Sequence, residues 1–212
     1  LRFLNGSPDS VAGKNESRRA VHGLINRSIQ YFLRDTYGIP LWEAVVCAAD
    51  LPPQGFEALL TYADAQTEAM ILAASKQLGK PRDALLEDFG IYLAGRERLR
   101  RLLRFGGADF VDFLYSLEEL PGRIRLAVPD LVIADMVLCH RSMGQFRLDI
   151  RGGPPGFVHV MCGVLQAIAD DFGALALISA TEMAGKPSVQ IDVIEASYAA
   201  GRDFLLTLPE RP

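Results

Sequence analysis

Three histidines and three cysteines are the side chains best suited to hold a metal or attack a substrate, and their spacing decides which could act together. His22, His140 and His159 are far apart, and Cys47, Cys139 and Cys162 are equally scattered. Cys139 and His140 are adjacent on an alternating, strand-like run, so they point to opposite faces and cannot grip one metal. His159 and Cys162 stand three apart on a run with helical spacing, which makes them neighbours on one surface. A thiol with a base in reach is a nucleophile; the alternative is an inert core thiol beside a satisfied structural histidine. Neutral imidazole binds iron or zinc, so His159 is the candidate metal ligand, although nothing joins it at recognisable ligand spacing. G-x-S-x-G, P-loop and H-E-x-x-H patterns are missing, and the chain is expected not to be an enzyme.

The most concentrated charge is GRERLRRLLRF, with Arg96, Arg98, Arg100, Arg101 and Arg104. Such a run can dock an acidic partner, but it more often forms the solvated face of an amphipathic helix. A formal charge of −4 at pH 7 favours the second reading and argues against nucleic acid or an anionic membrane as partner. The apolar run GVLQAIADDFGALALISA is cut by Asp170 and Asp171, short of the ~20 residues that span a bilayer. Three cysteines in apolar stretches suit reduced thiols, and a cytoplasmic location is expected.

These residues must be positioned by a core, and 212 residues that are 50% hydrophobic can build one. Residues 1–20 are polar and read as a flexible extension. GLINRSIQYFLRDTY places Leu24, Ile25, Ile29, Phe32 and Leu33 on one helical face, and Gly38 stops it. PLWEAVVCAADL follows as a short helix with proline near its start. Asp64 is positioned to cap AQTEAMILAASKQLG, which ends at Gly79. PRDALLEDFGIYLAGRERLRRLLRF and ADFVDFLYSLEEL continue the helical pattern, and Pro121 follows as a helix breaker. Beyond Pro129 the period changes. MVLCHR and QFRLDIR read as one hairpin, FVHVMCGVLQAIADDF as a buried helix, and ALALISA with SVQIDVIEA as a second hairpin. The expected fold is α+β: a helical part over 21–130, then an α/β part over 131–200 with a four-stranded antiparallel sheet and a packed helix, and a tail over 201–212.

This order of elements resembles the H-NOX family of haem nitric oxide/oxygen-binding domains. Val21-His22-Gly23 is similar to the family's opening residues, and Tyr37-Gly38 with Trp42 to its YG and tryptophan helix. GFEALLTYADAQTEAMILAASKQLGKPRDALLEDFGIYL is similar to its second block, ending in FG-x-Y, and DFLYSLEEL to the segment that enters the haem pocket. In the family, a leucine or valine followed by histidine comes next, and the histidine ligates iron. Here the pair is Leu120-Pro121, with Pro129 at the family's downstream proline. Proline has no lone pair for iron, so the resemblance implies an emptied ligand position.

The family's Y-x-S-x-R strand, which holds the haem propionates, also differs. With a shortened hairpin its three slots fall on Arg147, Asp149 and Arg151; without gaps they fall on Ile150, Gly152 and Pro154. A guanidinium suits a carboxylate, which makes Arg151 the surviving candidate, while the alternative is a surface arginine paired with Asp149 or Glu195. The resemblance thus implies a sensory module without haem held through residue 121, acting as an interaction domain or taking another apolar ligand in a pocket that bulky side chains would otherwise fill. The alternative is a haem gas sensor with His159 or His140 as axial ligand. In either case the implied partner is a kinase or a cyclic-nucleotide or cyclic-di-nucleotide enzyme.

Overall fold

The computed structural model describes residues 20–199 and 201, except 132, 184 and 185. Apart from Ala20 and Gly201, the expected extension over 1–20 and tail over 201–212 lie outside the described residues.

The first helix, α1 (Gly23–Tyr37), buries Ile29, Phe32 and Leu33 on the face marked by their spacing. His22 precedes it, and its Nδ1 accepts from the Leu24 N–H at 3.2 Å, so this imidazole caps a helix. Gly38 at φ 89° separates α1 from α2 (Ile39–Ala48). A two-stranded ribbon of β1 (Ala20–His22) and β2 (Thr61–Ala63) brackets this region. Three-residue strands are too short for alternation to show in sequence. In α3 (Asp64–Leu78) the cap position is Ala63 and Asp64 lies in the first turn, while Gly79 ends the helix in the left-handed region at φ 62°.

Two runs that read as single helices are broken. The arginine-rich one divides into α4 (Arg82–Gly95) and α5 (Glu97–Arg104), with Arg96 extended between them. The next divides into α6 (Phe110–Tyr115) and a 3-10 turn (Ser116–Glu119), and a further helix, α7 (Leu120–Ala127), follows where a break was expected. Pro121 therefore does not end a helix. It stands in the first turn of α7, where the missing N–H has no partner to lose.

The rest is the expected α/β part. Strands β3 (Asp135–Ser142), β4 (Gln145–Arg151), β5 (Leu175–Met183) and β6 (Lys186–Glu195) form an antiparallel sheet in the order β3-β4-β6-β5. The long helix α8 (Phe157–Phe172) covers one face. One core lies among α1–α4 around Phe32, Leu33, Val45 and Met70. The other joins Phe110, Phe113 and Leu117 to the sheet's Leu148 and Ile191 and to Leu165 and Ile168 of α8. The α4 and α8 backbones touch between them: a Cβ on Gly90 would lie 2.1 Å from the Val160 carbonyl oxygen, and one on Gly163 1.9 Å from that of Glu87.

Candidate functional site

The two faces of β4 separate the two readings of the propionate strand. Phe146, Leu148 and Ile150 are buried in the sheet-side core. Arg147, Asp149 and Arg151 share a face, as alternate residues must, but it is the face turned away from that core. There Arg147 and Asp149 hold each other, Nε to Oδ1 at 2.7 Å, with the Cys139 sulfur 3.8 Å from the same carboxylate. Arg151 is exposed and lies across from Asp135 in the β3–β4 register. These three residues do not converge on an interior site.

The ungapped slots do come together. Ile150, Gly152 and Pro154 line one crevice of about 390 Å³, walled by the first residues of α4 and α8. Arg82 and Asp83 stand on one side and Phe157 and His159 on the other. The glycines build it: Gly152, Gly153 and Gly156 have φ of 72°, 82° and 79°, a region that costs other residues strain. A Cβ on Gly156 would also come within 2.9 Å of Arg82 Nη1. Neither α4 nor α8 has a side-chain N-cap. The rim is charged. Arg82 donates to both Glu68 oxygens at 2.7 and 2.8 Å, and the hydrogen bond to Glu68 raises its already high pKa. Arg82, Asp83 and His159 are the polar side chains of a lining otherwise made of glycines, prolines, Ile150, Phe157 and Val158.

His159 faces two carboxylates, with Nε2 3.5 Å from Asp83 and Nδ1 3.5 Å from Glu87. Among the described residues, no group of three His, Cys, Asp or Glu side chains is arranged to hold a metal ion. His140 stacks on Phe146 with centroids 4.9 Å apart. Cys162 is 1% exposed inside the sheet-side core. Burial, assisted by the Glu87 charge, pushes its thiol up to about 11. A thiol so placed stays protonated near neutral pH and is a poor nucleophile.

Pro121 is buried at the start of α7. The turn leading to it is pinned to the sheet: Glu118 accepts from the Leu138 N–H at 2.8 Å, and Tyr115 meets Phe146 edge-on at 5.9 Å. Leu117 and Leu120 belong to the same buried cluster as Leu148 and Ile150.

The arginine run is only partly a solvated face. Arg100 Nε donates to Asp171 at 2.6 Å, and the Arg104 guanidinium lies 4.0 Å over the Phe172 ring. This pairing ties α5 to the end of α8. Its sequence signal was the acid that interrupts an apolar helix, since a buried carboxylate demands a partner.

Comparison with known proteins adds the family context. Residues 22–179 match the family described as HNOB, Haem-NO-binding. Soluble guanylate cyclase 89Db of Drosophila melanogaster is 23% identical over 158 residues, covering 73% of this chain and 24% of that protein. Soluble guanylate cyclase gcy-31 of Caenorhabditis elegans is 24% identical over 155 residues, covering 71% and 22%. The chain thus spans about a quarter of the length of the curated relatives it matches. Among solved structures, the Fe(II) unliganded H-NOX protein from K. algicida superposes with a TM-score of 0.72 at 16% identity, over 85% of this chain and 100% of that one. An H-NOX protein from S. oneidensis gives 0.71 at 14%, over 83% and 97%.

Proposed function

This chain belongs to the Haem-NO-binding family, and from that premise we propose that it is a sensory module of the family which does not hold haem through residue 121. It acts by contact with a signalling enzyme, or by taking a different ligand in the crevice. The observation that carries this reading is the burial of Pro121, the residue that the family resemblance assigns to the iron-ligand position. The ungapped reading of the propionate strand supports it, because Ile150, Gly152 and Pro154 offer no side-chain hydrogen-bond donor. The haem that the family implies supplies a gas-binding iron and needs an axial ligand on one side and donors for two carboxylates on another. The residues at these positions do not fit it, and no step is routed through haem.

No catalytic step is assigned to the chain. The protonated, buried Cys162 and the carboxylate-facing His159 support a role in binding rather than group transfer. Among the described residues, no helix is long and apolar enough to cross a membrane. The curated relatives named above are soluble guanylate cyclases, so a nucleotide cyclase is a fitting partner class, with a kinase or cyclic-di-nucleotide enzyme as the alternative.

Purified protein mixed with excess hemin and then desalted should show no stoichiometric Soret band, oxidised or reduced. A full band that disappears in His159→Ala would overturn the proposal in favour of haem bound through an unusual ligand. Pro121→His tests the assignment of that position: a Soret band gained by this variant alone marks residue 121 as the emptied ligand site.

A further inference from the structure

Strand β5 is the terminal strand of the sheet, and among the described residues nothing pairs with its outer edge. The opposite edge, β3, is guarded: its ladder is irregular between His140 and Ser142, Glu118 takes the Leu138 N–H at 2.8 Å, and Asp135 and Arg141 add charge. Over Leu175–Met183, β5 carries one charge, Glu182, and no proline. Folded proteins ordinarily cover or blunt such an edge. Where β5 begins, its outer side is also apolar: Leu175 is 38% and Leu177 65% exposed, beside Ile194 of β6 at 61%.

The chain returns to this same corner after β6. The Ala199 N–H donates to the Gly173 carbonyl at 3.0 Å, and a Cβ on Gly201 would lie 2.8 Å from the Asp171 carbonyl oxygen. Gly201 thus stands against the end of α8, just before β5 starts. The residues that follow lie outside the described ones, and they read RDFLLTLP. Phe204, Leu205, Leu206 and Leu208 fall between Gly201 and Pro209, a short apolar run with the punctuation of a strand. Extended at ~3.3 Å per residue, residues 202–208 reach ~23 Å, against ~30 Å for the whole of β5.

We propose that residues 204–208 lie along the outer edge of β5, parallel to it, as a fifth strand of the sheet. The direction follows from the position of Gly201: a chain that starts beside the entry to β5 and follows its edge must run the way β5 runs. Alternation puts Phe204, Leu206 and Leu208 on one side and Leu205 and Thr207 on the other. The three-residue side joins Leu175 and Leu177, taking from water the apolar surface left open there. Pro209, with no N–H to give, ends the pairing. This segment is favoured over a second copy or a foreign strand because it is already tethered at the site, so no free chain has to be immobilised. The inference goes beyond the function proposed above and holds whether or not the crevice binds haem.

Residue-resolved amide hydrogen exchange in the full chain tests it. The β5 N–H groups that do not point to β6, and those of residues 204–208 that face β5, should exchange at least about tenfold more slowly than open amides. The protection should be the same in dilute and concentrated protein. In the double variant Leu205→Pro, Leu206→Pro one missing N–H must face β5, and the β5 edge should be released. Leu177→Asp, at an exposed position, should release residues 204–208 from the other side. Edge amides that exchange as open groups in the wild-type chain would overturn the proposal. So would protection that survives the double proline variant, or protection that grows with protein concentration and so marks a second copy.

Discussion

The two regions that the family resemblance singles out, around Pro121 and at the end of β4, differ in how they are filled. At the α7 end, Pro121 is buried and the turn before it is pressed onto the sheet through Leu117, Tyr115 and Glu118. At the β4 end, Ile150, Gly152 and Pro154 open into a crevice whose rim holds Arg82, Asp83 and His159. In both places the residue suits its local backbone. A helix start accepts proline, and a loop in the left-handed region accepts glycine. The closed end should therefore carry stability, and the open end should carry little.

The sharpest way to break that contrast is to remove a side chain from the closed end. Leu117 is fully buried, one turn ahead of Pro121. Leu117→Ala should cost about 3–5 kcal/mol, the range for deleting a leucine from a core that collapses only partly. Urea unfolding measures it through the midpoint at unchanged slope. A loss below about 1 kcal/mol would mean that this end is loosely packed.

The contact between the two cores comes next. In Gly163→Ala the new methyl would sit 1.9 Å from the Glu87 carbonyl oxygen, backbone that cannot swing aside. The helices must separate, at about 1–3 kcal/mol for an overpacked site. Thermal unfolding should show a lower midpoint for this variant, whereas Gly95→Ala, with open space around it, should not be lowered by crowding. Cys162 gives a smaller effect that depends on pH. Folding raises its thiol from 9.0 to about 11, so the folded chain keeps a proton that the unfolded chain releases. That stabilisation is complete below pH 9 and is lost as pH rises through about 11. Cys162→Ala should flatten the decline between these values by on the order of 1 kcal/mol. Subtracting the variant isolates the thiol from Tyr37 and Tyr92, whose hydroxyls are also pushed up, to about 12.

Much of this architecture was legible because the elements are long and periodic. The apolar spacing and Gly38 set α1 to within a residue, and the run from Phe157 to Phe172 is α8 itself. Short-range breaks were not legible. Arg96 leaves the helix between two good helix-forming stretches, and Ser116–Glu119 tightens into a 3-10 turn, both decided by what the flanking segments pack against. For the candidate site, the family resemblance offered two sets of slots three residues apart, and burial distinguishes them, with Ile150 inside and Arg147 and Asp149 outside. The polar rim was hidden because Arg82 and Asp83 come from a helix start more than 75 residues before His159. No local pattern announces that meeting.

The smallest effect belongs to the open end. Asp83 is 57% exposed at its side chain, and its carboxylate is 3.2 Å from Arg82 and 3.5 Å from His159. Exposed pairs of this kind are screened by solvent and contribute about 0.2–1 kcal/mol. Arg82 also retains its two-point bond to Glu68, so Asp83→Asn leaves no guanidinium stranded. The variant should unfold within about 1 kcal/mol of wild type, and added salt should shrink the difference further. A cost comparable to that of Leu117→Ala would place the crevice rim in the supporting frame of the fold, and the distinction between a closed end and an open end would disappear.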